Sequence, residues 1–167
     1  MKIAIISDIH DNLVNLEKAL KWCKAHQIEE LICCGDVSNL ETLNFLANTF
    51  TGPIHLVRGN MEIFTDEDVE RLENINYFGK HGKIELEGKE VGICHEPSFI
   101  NKIVKDGPTD IIFYGHTHEP WEKTETRQEV SVRLVNPGTL GGLLAKASFA
   151  VWNTKTDKLE LKIMEQL

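Results

Sequence analysis

Five short apolar runs in this 167-residue chain each stop at a string of polar residues. Residues 2–7 (KIAIIS) reach Asp8-Ile9-His10-Asp11, and 30–34 (ELICC) reach Gly35-Asp36. Residues 54–57 (IHLV) reach Arg58-Gly59-Asn60-Met61-Glu62, 90–95 reach His95-Glu96-Pro97, and 110–114 (DIIFY) reach Gly115-His116-Thr117-His118. Runs of this length read as buried strands. Charged and imidazole groups are costly to bury unpartnered, so each string marks the place where the chain leaves the sheet.

The first three runs are separated by helical periodicity. Leu13, Leu16, Ala19, Leu20 and Cys23 share one face, with Asp11 or Asn12 as the cap. A second helix over about 40–50 turns Leu43, Leu46, Ala47 and Phe50 inward and stops at Gly52-Pro53. This β-α-β-α-β order predicts a parallel sheet. The second half changes grammar. A short helix is expected at 65–73, and strands at 82–87 and 90–95 with a hairpin turn at Glu87-Gly88-Lys89. A helix follows near 97–106, then the strand at 110–114. Further strands are expected at about 120–126, 130–136, 147–153 and 158–164. No internal repeat, low-complexity segment or Gly/Ser/Pro-rich linker interrupts the chain, so 1–167 is read as one domain of two mixed sheets packed face to face with helices outside.

Composition narrows the partner more than the chemistry. With 41% hydrophobic and 26% charged residues, the chain is of globular type. Its net charge of −8, with basic residues scattered among acids, disfavours non-specific nucleic-acid and anionic-membrane binding. The apolar run between Lys2 and Ser7 is too short for a signal-peptide core, and no 18-residue apolar stretch follows, so a cytoplasmic location is expected. Cys23, Cys33, Cys34 and Cys94 are expected as buried free thiols, since adjacent strand residues point to opposite faces.

Ligands of open α/β sheets bind outside the carboxyl ends of the strands. Five such strands side by side would gather Asp8, His10, Asp36, Asn60, His95, His116 and His118 at one edge. Left without a ligand, the carboxylates repel and the imidazoles compete for partners. Divalent cations resolve both problems, because imidazole nitrogen and carboxylate oxygen are proper donors. Seven donors exceed the three or four protein ligands usual for one ion and suit two ions sharing a carboxylate, at a separation of about 3.5–4 Å that favours in-line displacement at phosphorus. Singly these motifs are weak, because Gly35-Asp36 or Gly59-Asn60 is an ordinary turn. His26, His55 and His81 lie outside the pattern and are read as exposed or satisfied histidines.

At these residues the sequence resembles the calcineurin-like metallophosphoesterase superfamily, with its ordered Asp-x-His, Gly-Asp, Gly-Asn, His and Gly-His-x-His motifs. Small size and the late Asn136-Pro137-Gly138-Thr139 place the resemblance in the single-domain phosphodiesterase branch. It implies a four-layer α/β/β/α sandwich. It also implies one ion on Asp8, His10, Asp36 and His118, and a second on Asp36, Asn60, His95 and His116. Asp36 is then the bridge, and a metal-bridging hydroxide is the nucleophile. The implied cofactors are two divalent ions, manganese first, with nickel, iron, cobalt or zinc as alternatives. Asp36, Asn60 and His95 would be catalytic, and Asn60 and Arg58 would bind substrate, a small-molecule phosphate ester. A homo-oligomer fits the reading. A phosphomonoesterase, or a catalytically weak scaffold module of the same fold, is the alternative. A protein phosphatase is disfavoured for want of a histidine after Gly59-Asn60.

Three positions depart from the family pattern. Met61 stands where many members have a histidine that protonates the leaving group, which removes a general-acid contribution of about 10²–10⁴-fold there. Glu62 follows where aspartate is usual. Glu96 follows His95 where glycine is common, adding a carboxylate.

Overall fold

The computed structural model describes every residue except Gln128. The first half follows the expected order: β1 (Lys2–Ile6), α1 (Leu13–Ala25), β2 (Glu30–Cys33), α2 (Leu40–Thr49) and β3 (Ile54–Leu56). Asn12 caps α1 by accepting from the Asn15 N–H, and Asn39 caps α2 through the Thr42 N–H. Then come α3 (Asp66–Glu70), β4 (Ile75–Tyr77), β5 (His81–Leu86), β6 (Lys89–Cys94), α4 (Ile100–Lys105) and β7 (Ile111–Phe113). Four strands close the chain: β8 (Trp121–Arg127), β9 (Val130–Asn136), β10 (Ser148–Asn153) and β11 (Lys158–Ile163).

Two sheets form, ordered β11-β10-β1-β2-β3-β4 and β5-β6-β7-β9-β8. Each mixes parallel and antiparallel pairs. They pack through alternate residues: Ile3, Ile5, Ile32 and Trp152 from the first meet Val91, Ile93, Phe113 and Val135 from the second. The Phe113 and Trp152 rings approach to 5.6 Å. The opposite residues of β1 and β2 (Ala4, Ile6, Leu31, Cys33) bury against Leu16, Leu20, Leu43 and Leu46 of α1 and α2. On the other outer face Cys94, Ile112 and Leu134 bury against Ile100, Ile103 and Val104 of α4. These are the four layers α/β/β/α. Cys33 and Cys34 do fall on opposite faces, and all four cysteines are buried and free.

Four expectations change. The strands that carry the polar strings do not lie side by side in one sheet: β1, β2 and β3 belong to the first, β6 and β7 to the second. β4 was not foreseen from its three-residue run. It exists because Asn74 donates to the Ala47 and Phe50 carbonyls and lays the next residues along β3. The helix expected over 65–73 shrinks to five residues behind a Thr65–Asp68 capping box, and that over 97–106 opens with a 3₁₀ turn at Pro97–Phe99. The hairpin turn falls on Glu87 and Gly88, both at positive φ (49° and 78°), the backbone that tight hairpins demand. Among the described residues no helix is long and apolar enough to cross a membrane.

Candidate metal centre

The carboxyl ends of β1, β2, β3, β6 and β7 meet where the two sheets abut. The loops after β1 and β2 are zipped together by backbone bonds: the Asp8 N–H donates to the Gly35 carbonyl (3.0 Å), and the Ile9 and His10 N–H groups donate to the Asp36 carbonyl (2.9 and 3.0 Å). Asp8, His10, Asp36, His116 and His118 all hold left-handed φ, between 47° and 70°. Asp and His tolerate this region better than most residues, and it turns each side chain sharply off the strand axis. The glycines serve close approach. A side chain on Gly59 would collide with the Asp36 carboxylate, and one on Gly115 with the Ser7 hydroxyl. The loops interlock so tightly that only hydrogen fits.

Into this junction the side chains project as two overlapping donor groups, Asp8-His10-His118 and Asp8-Asp36-His95, the donor atoms of each within 4.8 Å of one another. His118 Nε2 lies 3.2 Å from Asp8 Oδ1 and 3.2 Å from His10 Nε2. Asp36 Oδ2 lies 3.3 Å from His95 Nε2 and 3.8 Å from His10 Nε2, between the two groups. Asn60 Oδ1 is 2.9 Å from both His95 Nε2 and His116 Nδ1. All seven residues singled out in the sequence are thus in one cluster. The structure adds that Asp8 as well as Asp36 touches both groups, and that the Asp8 carboxylate also accepts the His116 N–H.

Protons on the imidazoles explain what the cluster needs. His95 Nδ1 contacts the Cys34 carbonyl at 2.7 Å, and His118 Nδ1 contacts the Leu143 carbonyl at 3.1 Å. A carbonyl only accepts, so both Nδ1 atoms carry the hydrogen and, in the neutral rings, both Nε2 atoms present lone pairs. Those lone pairs point at carboxylate and carboxamide oxygens that also only accept. Acceptors facing acceptors at about 3 Å are held by a proton or a cation in the gap. Fixing Nε2 by a bond at Nδ1 is how histidine ligands are oriented. The donor set of imidazoles, carboxylates and one carboxamide suits borderline divalent ions.

Charge within the cluster is polarised accordingly. Burial pushes the Asp36 carboxyl up, but the hydrogen bond and charge of His95, with the Met61 N–H (2.8 Å) and His10, outweigh it and hold the group below its ordinary value. Burial pulls His95 down, while the Asp36 bond and charge raise it further than burial lowers it. Glu62 is pushed up to about 7 by burial, and the Asp36 charge adds to this, against hydrogen bonds from the Gly59 and Val37 amides.

Glu62 has a role that sequence reasoning missed. Its Oε1 accepts from Val37 N–H (3.3 Å) and Gly59 N–H (3.1 Å), joining the loop of Asp36 to that of Asn60. Its Oε2 is buried without a hydrogen-bond partner among the described residues. The Asn136–Leu140 segment is a second such brace. Asn136 donates to the Gly115 carbonyl, the Thr139 hydroxyl to the Asp8 carbonyl, and the Leu140 N–H to the Ser7 carbonyl. The polar string after β9 was the available signal. Arg58, by contrast, does not join the cluster. Its guanidinium is bound by Asp66 (2.8 Å) and the Phe64 carbonyl (3.1 Å), so the substrate contact expected of it is not supported. Outside the centre, His55 is buried and bonded to Glu30 at 2.7 Å, and His26 stacks on Trp22 at 3.8 Å.

The calcineurin-like phosphoesterase superfamily domain matches residues 1–157 of this chain. The chain belongs to that superfamily. Phosphodiesterase MJ0936 of Methanocaldococcus jannaschii is 31% identical over 150 residues, 86% of this chain and 87% of that protein. The solved structure of an archaeal phosphodiesterase superposes with a TM-score of 0.83 at 27% identity, covering 98% of this chain and 99% of the other. Vps29 of Entamoeba histolytica complexed with Zn²⁺ shares the fold at 17% identity and a TM-score of 0.66, over 98% and 99% of the two chains. The superfamily is metal-dependent, and the acceptor-lined cluster is this member's candidate metal centre.

Proposed function

We propose that the chain is a hydrolase that uses two divalent cations to cleave a small soluble phosphodiester. One observation carries the reading: the Nε2 lone pairs of His118 and His95 face the oxygens of Asp8, Asp36 and Asn60, acceptor against acceptor, with His10 and His116 beside them. Asp8, His10 and His118, with Asp36, would hold one ion, and Asp36, Asn60, His95 and His116 the other. When bound, such ions acidify water and offset charge on phosphoryl oxygens. Manganese is the first choice, with nickel, iron, cobalt or zinc as alternatives. The similarity to named phosphodiesterases favours a diester over a monoester.

The chain's own groups order the chemistry. Left-handed loops and interlocked glycines hold the donors rigid, so little reorganisation accompanies binding. Asn60, the one neutral oxygen donor, also carries an N–H₂ group that can donate to a phosphate oxygen. Met61, 53% exposed beside it, cannot give a proton to a departing oxygen. A cytoplasmic site and a small-molecule ester fit the acidic surface, whose −8 net charge repels long polyanions.

The test is turnover of bis-nitrophenyl phosphate, nitrophenyl phosphate and a phosphopeptide by protein stripped of metal and reloaded with each ion, alongside elemental analysis. Diester hydrolysis that returns with about two equivalents of one ion supports the reading. Stoichiometric metal with no turnover of any ester would overturn it in favour of a binding module.

A further inference from the structure

β8 ends the five-stranded sheet, with β9 on one side and, among the described residues, no strand on the other. The direction of its free backbone follows from β9. The Arg133 N–H donates to the Asp110 carbonyl and the Val135 carbonyl accepts from Tyr114, so these two residues spend their backbone groups on the β7 side. Val132 and Leu134 therefore face β8 and make the hydrogen-bonded pairs with Glu125 and Lys123. By alternation the N–H and C=O groups of Glu122, Thr124 and Thr126 point outward, away from the sheet. Such a row is a template for another strand.

Edge strands are often guarded by charge, so the order of charges decides whether this edge repels or recruits. Its sequence is Trp121-Glu122-Lys123-Thr124-Glu125-Thr126-Arg127. In antiparallel self-pairing about Thr124, Lys123 stands opposite Glu125 of a second copy, and Glu125 opposite its Lys123. Trp121 meets Arg127, Glu122 meets Thr126, and Thr124 meets Thr124. Every charged pair is of opposite sign, threonine pairs and an arginine over an indole are themselves favourable, and no like charges meet. Shifting the axis by one residue sets Lys123 or Glu125 against its own copy. Thr124 is also one of the residues whose backbone points outward, as a two-fold hydrogen-bonded pair requires. Along the strand, Glu125 already pairs with Lys123 (2.8 Å) and Arg127 (2.7 Å), so the side chains are ordered before docking.

We propose that two copies of this chain associate through β8, antiparallel and centred on Thr124, so that the five-stranded sheets of both copies become one continuous sheet. The contact is a single strand edge, of the small kind that weak, reversible complexes use.

Sedimentation velocity across a concentration series tests this. The wild type is expected to pass from monomer to dimer, and added salt to weaken the dimer. Lys123→Glu sets carboxylates against carboxylates and Glu125→Lys sets ammonium groups against one another, so each variant is expected to stay monomeric. Mixing the two restores opposite charges at both positions, and a heterodimer should form. Thr124→Pro, which removes an outward N–H and puts a ring in its place on the free edge, should abolish dimerisation while leaving ester hydrolysis intact. A wild type that stays monomeric up to the highest concentration of the series, single variants that dimerise like wild type, or a mixture that remains monomeric would each overturn the proposal. Recovery in the mixture also excludes misfolding as the reason the single variants fail.

Discussion

Asp36 Oδ2 lies 3.3 Å from His95 Nε2 across the seam where the two sheets abut, while Asp36 Oδ1 accepts the Met61 N–H at 2.8 Å. One carboxylate thus ties an imidazole of the second sheet to a loop of the first. Replacing it with a neutral amide weakens the hold on both candidate ions at once. Asp36→Asn should lower kcat by more than about 100-fold and reduce bound metal, because one neutral ligand cannot offset two cations at short separation. Steady-state kinetics with metal analysis on the same sample checks this. Near-wild-type turnover would falsify the shared-carboxylate reading.

Ligand and bystander histidines should separate cleanly. His95→Ala and His116→Ala are expected to remove most activity. His55→Ala should keep catalysis within a few-fold while lowering stability by about 1–3 kcal/mol, because Glu30 then loses its partner in a half-buried site. His81→Ala should change neither. Activity and urea unfolding measured in parallel decide it, and equal loss of activity in all four variants would count against the cluster as the reactive site.

Glu62 is expected to act through the two loops it joins. Glu62→Gln keeps an oxygen for the Gly59 and Val37 amides, whereas Glu62→Ala leaves both N–H groups without it. Metal affinity should fall by about 10–100-fold in the alanine variant and be largely retained in the glutamine variant. Titration calorimetry with Mn²⁺ gives the comparison. Equal affinity in both variants would mean that the brace does not set the donor geometry.

Met61 makes leaving-group basicity matter. With no imidazole beside Asn60, nitrophenyl esters should be cleaved far faster than alkyl esters, and Met61→His should help the alkyl esters more. The readout is the ratio of kcat/KM for the two ester types at matched metal content. A wild type insensitive to leaving-group pKa would mean that another residue already supplies the proton.

Alkaline pH should destabilise the fold through its thiols. Burial pushes Cys23 and Cys94 up from an ordinary 9.0 to about 12, and Cys33 and Cys34 higher still. In the unfolded chain these groups lose protons from about pH 9, while the folded chain keeps them, so the unfolded state binds fewer protons and stability falls as pH rises. Below pH 9 this dependence vanishes. Each thiol contributes a slope of about 1.4 kcal/mol per pH unit between its unfolded and folded values. Urea midpoints from pH 8 to 10.5 test it, and native thiols should resist alkylation at pH 8 until the protein unfolds.

Much of the molecule was legible in the linear chain because burial and chemistry repeat with the period of the backbone. Apolar runs such as Ile3–Ile6 and Ile111–Phe113 announce strands, and the polar strings that end them announce their edge, since charged groups cannot remain in the core. The seven candidate ligands follow from residue type and position alone. What needed the tertiary structure is whatever depends on which distant groups become neighbours. Two sheets stacked face to face, rather than one sheet, bring His95 to Asp36. Backbone carbonyls of Cys34 and Leu143 decide which imidazole nitrogens face the centre. Glu62 became a brace, and Arg58 left the site for Asp66, because side-chain reach and competing partners are set by packing, which no local pattern encodes.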